Sequence, residues 1–582
     1  MKRLFTLALM LTLLTLMITP AAATPARIPI ADLTALAAVM PGDSIFFGAF
    51  RIDDRYVDAL DGALDRIEAA LPGMIPPTGL RDQLDELSKP LGGSFEQVFG
   101  AWLGDTAAFS LNNFEMEMMQ YGNLEESLTV AIAIDDQAAA EAFFDGQVET
   151  GAMQAIKSEA DGVIRYDASN DSPISLTISA DTLILGAAAQ QNDRSARLNA
   201  NERFTDAMAA LTEDDYNIAL YIDMQQYMAL SLDTLNQSMR GMDMGTMNPA
   251  FDMLDSFVSI YGGAGIGFTI VDERSFVMDV SVGLDMAAYE AAFGIDIMGF
   301  MPSSIDPTFA RYIPAGTPLF VHSAGLATSY NAYMTTLESG IMSDLYGDAL
   351  MGDFDAIMGQ IEFTVRGATG LTLDEIFGWM EGDYALWLSL SPALVDATDL
   401  QTAMTQALPI DFGLLVDATP DPDAAAALVE GFGRLFDLAA AQAGRSSTDV
   451  HVAETTIEDA TAVTLTISDP SMPFPIELIA ASNADVFVFG TARAVRSALN
   501  PTNGMDSDPT FQTAASYLLP NTPLVVYAAG GGFWSLARLA DANPQAEQIV
   551  TGLLTLLNSS TMSQQLTAEG VSIARFVVTL PE

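Results

Sequence analysis

The chain has 582 residues, no cysteine, 23 basic against 76 acidic residues and a formal net charge of −53. So few bases exclude a nucleic-acid partner, because neutralising phosphates needs clustered Lys and Arg, and they disfavour anionic membrane surfaces for the same reason. The lack of cysteine excludes disulfides and a lipoprotein anchor, and two histidines are too few for a Cys/His zinc site of about four ligands.

At the start, Lys2 and Arg3 precede an apolar run over residues 4–18 and then Pro20-Ala21-Ala22-Ala23. This is the charged, hydrophobic and small-residue order of a secretory signal, so residues 1–23 are expected to be a signal peptide and the mature chain to be extracytoplasmic. The apolar run is shorter than the roughly 20 residues that span a bilayer. No later stretch of that kind is free of charge or Gly/Pro punctuation, so the mature chain is expected to have no transmembrane helix.

Further on, Pro41-Gly42-Asp43-Ser44 is a turn opening a strand, and Phe99-Gly100-Ala101-Trp102-Leu103-Gly104-Asp105 leads into another. Residues 129–135 alternate as a strand, and 136–144 read as a helix with Asp136 at its start. Strands follow near Val163 and over 174–186, then at 216–223 and 277–284, the last leading through Asp285 to a helix over 286–293. The order strand, helix, two-stranded hairpin, helix is thus expected twice, over 45–144 and 216–293. Gly294, Gly299, Pro302 and Pro307 mark 294–307 as a linker.

After the linker the landmarks return in the same order. Pro314-Ala315-Gly316-Thr317 matches the first turn, and Phe377-Gly378-Trp379-Met380-Glu381-Gly382-Asp383 matches the Phe-Gly…Gly-Asp element. The strand ending at Asp417, with a helix through Ala424, matches the one ending at Asp135. Pro475 to Gly490 matches Pro173 to Gly186, and Phe511 to Tyr527 matches Phe204 to Tyr221. The expected fold is α+β: two tandem, internally duplicated halves, residues 36–293 and 308–582, each a mainly antiparallel sheet with helices packed on one face. The length alone calls for more than one domain.

Two strands contrast their faces. Tyr216, Ile218, Leu220 and Ile222 alternate with Asn217, Ala219, Tyr221 and Asp223, while Tyr384, Leu386, Leu388 and Leu390 alternate with Ala385, Trp387 and Ser389. The aliphatic face is expected beneath the helices, each buried side chain contributing roughly 1.5–3 kcal/mol. The small-residue face carries Tyr221, His322, Trp387 and Tyr527. These four are the candidate binding residues, because rings with polar tips suit an apolar site; packing against the other half would give the same pattern.

The recurring openings Pro41-Gly42-Asp43-Ser44, Pro314-Ala315-Gly316-Thr317 and Pro520-Asn521-Thr522-Pro523, with the Phe-Gly…Gly-Asp element, resemble secreted bacterial proteins of the domain of unknown function 3352. The resemblance implies an extracytoplasmic α+β repeat protein and no catalytic residues.

Chemical signatures are sparse. Gly42-Asp43-Ser44-Ile45 has the form of a Gly-Asp-Ser-Leu hydrolase block, but an Asp-x-x-His partner is missing and the equivalent positions Gly316-Thr317 read as a turn. Asp417, Asp421 and Asp423, and separately Asp506 and Asp508, cluster without the twelve-residue calcium-loop pattern. Met239, Met242, Met244 and Met247 have soft thioethers that suit Cu(I), although gap filling explains them equally. No cofactor or metal is expected. The expected function is a non-catalytic secreted or cell-envelope binding or scaffold protein with an unknown extracytoplasmic ligand. The alternatives are a secreted carboxylate-dependent hydrolase and a carrier of an apolar ligand between the two halves.

Overall fold

The computed structural model describes residues 28–581, except 55, 59–60, 63–78, 113–126, 170–173, 188–196, 214, 239–257, 272–273, 295, 339–353, 392–407, 409, 444–448, 470–472 and 531–556. The expected signal peptide and the four clustered methionines lie outside the described residues. The chain divides into two compact units: one runs up to Ala288 and takes in Thr567–Ala574, the other is Tyr289–Leu566 with the residues from Arg575 onward. The division thus falls a few residues before Gly294, and the expected linker is not featureless, since Ile297–Phe300 is a short 3-10 helix capped by Asp296.

The first unit contains strands β1 (Phe46–Arg51), β2 (Leu103–Leu111), β3 (Leu128–Ile134), β4 (Ala155–Ala160), β5 (Val163–Ala168), β6 (Ile174–Ile178), β7 (Thr182–Ala187), β8 (Ile218–Asp223), β9 (Tyr261–Ile270) and β10 (Ser275–Leu284). Antiparallel pairing arranges them as β4-β5-β6-β7-β3-β2-β1-β8-β9-β10. The second unit contains β11 (Leu319–Ala324), β12 (Asp383–Leu390), β13 (Ile410–Asp417), β14 (Asp449–Ile457), β15 (Ala460–Ser468), β16 (Ile476–Ser482), β17 (Val486–Thr491), β18 (Leu524–Ala529) and β19 (Ser559–Leu566). Their order is β14-β15-β16-β17-β13-β12-β11-β18-β19, again antiparallel. The last strand, β20 (Val571–Thr579), follows β19, and the Asn558 N–H donates to the Thr579 carbonyl at 2.8 Å. The class is therefore α+β with extensive antiparallel sheet.

The helices used below are α1 (Phe95–Phe99), α2 (Gln137–Glu149), α3 (Glu202–Ala209), α4 (Met224–Ser238), α5 (Leu373–Phe377), α6 (Pro422–Ala443) and α7 (Pro509–Ala515). Their starts are set by short polar side chains that satisfy the first free backbone N–H groups. Ser94 and Gln97 close a capping box on α1, and Thr372 and Glu375 close one on α5. Asn201 caps α3 and also donates to the Gly42 carbonyl at 3.0 Å. Asp508 caps α7 and also accepts from the Gly316 N–H at 3.1 Å. The two turns so held are alike: the Ser44 hydroxyl donates to the Pro41 carbonyl at 2.6 Å, and the Thr317 hydroxyl donates to the Pro314 carbonyl at 2.6 Å.

The small-residue face, expected to be the open one, is the more deeply buried. Asn217, Ala219, Tyr221 and Asp223 are fully buried, as are Ala385 and Trp387; on the aliphatic face Tyr216 and Ile218 are buried as expected, but Leu220 and Ile222 are half-buried and Leu386 is 48% exposed. The cause is the distance of approach. Gly263 and Gly265 pair with Asp223 and Tyr221, and a Cβ added there would come within 2.4 Å of the Arg203 carbonyl or 2.5 Å of the Ala207 carbonyl. A face of glycine and alanine lets α3 lie directly on the sheet, and aromatic rings fill the space that remains. Phe204 of α3 packs edge-on against Phe47 at 5.3 Å and Tyr221 at 5.2 Å, as Phe511 of α7 does against Phe320 at 5.2 Å and Tyr527 at 5.3 Å.

A second correction concerns coverage. Phe47 meets Phe204 of α3, while its neighbour Phe46 meets Tyr227 of α4 at 5.7 Å. Successive strand residues point to opposite faces, so helices cover both faces of the first unit's sheet rather than one.

Candidate functional site

The four nominated binding residues are interior. Tyr221 and Tyr527 lie beneath Phe204 and Phe511, Trp387 is 2% exposed and Tyr527 1%. Burial pushes the phenols of Tyr221 and Tyr527 well above their ordinary pKa. The Trp387 indole lies against Gly413, where a Cβ would approach the ring within 2.1 Å. His322 stacks on Phe309 at 5.5 Å. These rings form core, and they present no open aromatic surface.

Among the described residues, neither histidine has a serine hydroxyl hydrogen-bonded to it. The buried His322 Nε2 is 2.9 Å from Asp383, whose other contact is the Asp306 N–H at 2.7 Å, and the Ser323 hydroxyl donates instead to the Pro523 carbonyl. Exposed His451 has Asp449 at 3.4 Å. The Ser44 hydroxyl is committed to its turn. The acidic loops have local duties as well: Asp421 accepts from the Ala424 N–H at the start of α6, Asp508 caps α7, and Asp417 holds Thr419. Among the described residues, no three His, Cys, Asp or Glu side chains group closely enough to hold a metal, and no helix is long and apolar enough to cross a membrane.

A cavity of about 400 Å³ lies in the first unit, where Asp223 ends β8, Tyr261 begins β9 and Leu284 ends β10. Its floor is glycine: Gly262, Gly263 and Gly283. A bulge at that point sets three steps of β9, from Tyr261 to Ala264, against two of β10, from Leu284 to Val282, and such irregularities bend a strand away from its partner. The first turn of α3 forms one wall with Arg203, Asp206 and Ala207. Another is the turn carrying Glu569 and Gly570, held in place by the Leu284 N–H donating to the Gly570 carbonyl at 2.8 Å. Gly570 sits at φ +84°, which a residue with a Cβ adopts only under strain.

One buried anion anchors the site. Asp223 accepts from Arg203 Nη1 at 3.1 and 3.4 Å and from the Gln226 N–H at the start of α4 at 3.0 Å. Arg203 Nη2 also bonds to the Gln225 side chain. The guanidinium is thus held by two acceptors of its own chain. Asp206, Asp285 and Glu569 line the same space, and no basic side chain pairs with them among the described residues. Asp285 also caps the following helix through the Ala288 N–H.

Sequence reasoning missed this site because its members are dispersed: Arg203, Asp285 and Glu569 belong to no spaced motif. The glycines at 262, 263, 265 and 267 were the available signal, since a strand rarely needs so many unless another backbone approaches it. Comparison with protein-family models, curated proteins and solved structures finds no match to this chain.

Proposed function

We propose that this chain is a non-catalytic extracytoplasmic binding or scaffold protein, built from two copies of one α+β unit related by duplication. The carrying observation for duplication is the shared strand order, together with the matched turns, capping boxes and ring triads described above. The turns and ring triads adjoin one another through Asn201 and Asp508, but the capping boxes at Ser94 and Thr372 lie on separate helices, so one local packing need does not explain all the matches. The signal-like residues 1–23 support export, and the resemblance to the domain of unknown function 3352 proteins supports the same placement.

The binding reading is supported by what each reactive group is already doing. Ser44 and Thr317 close turns, His322 is buried against Asp383 and Phe309, and Asp421 and Asp508 cap helices. Groups committed to turns and caps are poor nucleophiles and bases, because catalysis needs a proton acceptor within reach of an open reacting centre. The glycine-floored cavity supplies the concave surface that recognition requires. Incubating concentrated protein with a panel of glycans, esters and peptides tests this reading. No turnover is expected; turnover that persists through a second purification would replace the reading with a carboxylate-dependent hydrolase.

A further inference from the structure

We infer that the outer edge of β14 pairs with the β14 of a second copy of this chain. β14 ends the strand order of the second unit, and its nine residues pair with β15 without a register shift. Edge strands ordinarily carry a device against such pairing: short length, a Pro, a Lys or a bulge. In the first unit the edge strand β4 is six residues long and carries Lys157, tied to Glu141 and Asp145. β14, Asp449-Val450-His451-Val452-Ala453-Glu454-Thr455-Thr456-Ile457, has none of these devices and is rich in β-branched residues.

The hairpin fixes which groups point outward. Two residues, Glu458 and Asp459, link β14 to β15, so Ile457 and Ala460 close the turn as a hydrogen-bonded pair, and inward and outward residues alternate from there. Val450, Val452, Glu454 and Thr456 therefore direct their N–H and C=O groups away from β15, where no backbone partner meets them among the described residues. An antiparallel second copy centred on Ala453 sets Val450 against Thr456 and Val452 against Glu454, so every outward group finds its counterpart. Asp449 then faces Ile457 and His451 faces Thr455, and no like charges stand opposite each other.

Apolar surface beside this edge favours a second copy over a foreign strand. Val450 and Val452 pack into the core under α6 together with Val429 and Phe436. The helix Phe354–Thr369 lies on α6, where Arg434 Nε donates to the Thr369 carbonyl at 2.5 Å. On that layer Ile357, Ile361 and Phe363, with Leu438 of α6, are between 42% and 80% exposed. Single exposed apolar side chains are ordinary, but a group of them on two adjoining helices marks a contact. Antiparallel edge pairing relates two copies by an axis perpendicular to the sheet, so the two helical layers fall on the same side, next to each other. A lone peptide strand would satisfy the edge and leave these residues in water, whereas a second copy brings the matching layer with it. The charge of −53 on each copy opposes the contact, so it forms where salt screens that repulsion. It does not depend on what the first unit's cavity takes.

Sedimentation equilibrium of the full chain in about 1 M and about 0.01 M NaCl is the test. A reversible dimer is expected at the higher salt and monomer at the lower. E454P removes an outward N–H and leaves the β14–β15 ladder intact, as proline does on an edge strand, so it should weaken the dimer tenfold or more; I156K, at the first unit's edge, should leave it unchanged. The chain has no cysteine, so A453C sets its thiol opposite the same thiol of the second copy, and oxidation should link A453C into dimers but not A160C. Should E454P lose the circular dichroism of the parent, the cross-linking decides. Monomer at both salts, which would leave the edge to a foreign strand, overturns the inference. A dimer that a folded E454P keeps at full strength, or equal cross-linking of A453C and A160C, does so as well.

Discussion

Asp223 is the residue on which the first unit's site depends. Its carboxylate is fully buried, and it holds Arg203, begins α4 and receives the Tyr221 hydroxyl at 3.5 Å. Replacing it by Asn keeps the volume and leaves the guanidinium without its counter-charge. D223N should therefore lose about 1–3 kcal/mol of stability, read as a lower midpoint in urea unfolding; an unchanged midpoint would show that Arg203 finds full compensation in solvent. Asp306 provides a second residue-level expectation. Its carboxyl is held below the ordinary range by the Thr308 backbone N–H and then by the Thr308 hydroxyl. A depressed folded-state pKa means that its contribution is present above the unfolded value of roughly 3.9 and is lost as pH falls through the folded value. D306N should accordingly flatten the acid limb of the stability profile below about pH 4, and an acid limb parallel to that of the parent would contradict the assignment.

At the scale of elements, helix starts and strand turns were legible because they depend on local chemistry. The turn at Pro41-Gly42-Asp43-Ser44 and the helix start at Asp136 could be read directly: Pro and Gly mark a turn in any context, and a short acidic side chain before a helix accepts one of its free N–H groups, here that of Ala139. The first half's order of strand, helix, hairpin and helix was legible from the periodicity on the same grounds, and Met286–Phe293 is helical as read. Burial was not legible. In β8 and β12 both faces carry apolar groups, and alternation reports that two faces differ without reporting which one a helix approaches. The glycines of β9 decide that, and they lie some forty residues from the Tyr221 they admit. The caps are testable in turn. T372A removes the hydroxyl that accepts from the Glu375 N–H at 3.1 Å and should cost about 0.5–2 kcal/mol, with S94A costing a similar amount in the first unit. S44A should behave in the same way, about 1 kcal/mol from a lost buried hydrogen bond. A stability unaffected by S44A, with a function lost, would make Ser44 chemical after all.

For the whole molecule, charge sets the energetics and the proposed duplication sets the architecture to be tested. With 76 acids and 23 bases, self-repulsion opposes the compact state. The Debye length falls from roughly 30 Å at 0.01 M to about 3 Å at 1 M salt, so the thermal midpoint should rise when NaCl is raised across that range; a fall would show that specific ion pairs outweigh the net charge. The central claim is that one α+β unit occurs twice, and an experimental electron-density map tests it most directly. Superposing residues 40–290 on 312–580 should place Gly100 on Gly378, Asp105 on Asp383 and the ring set Phe47, Phe204 and Tyr221 on Phe320, Phe511 and Tyr527, with β1 pairing β2 and β8 as β11 pairs β12 and β18. A different strand order in the second half, or these residues falling on unrelated positions, would contradict it.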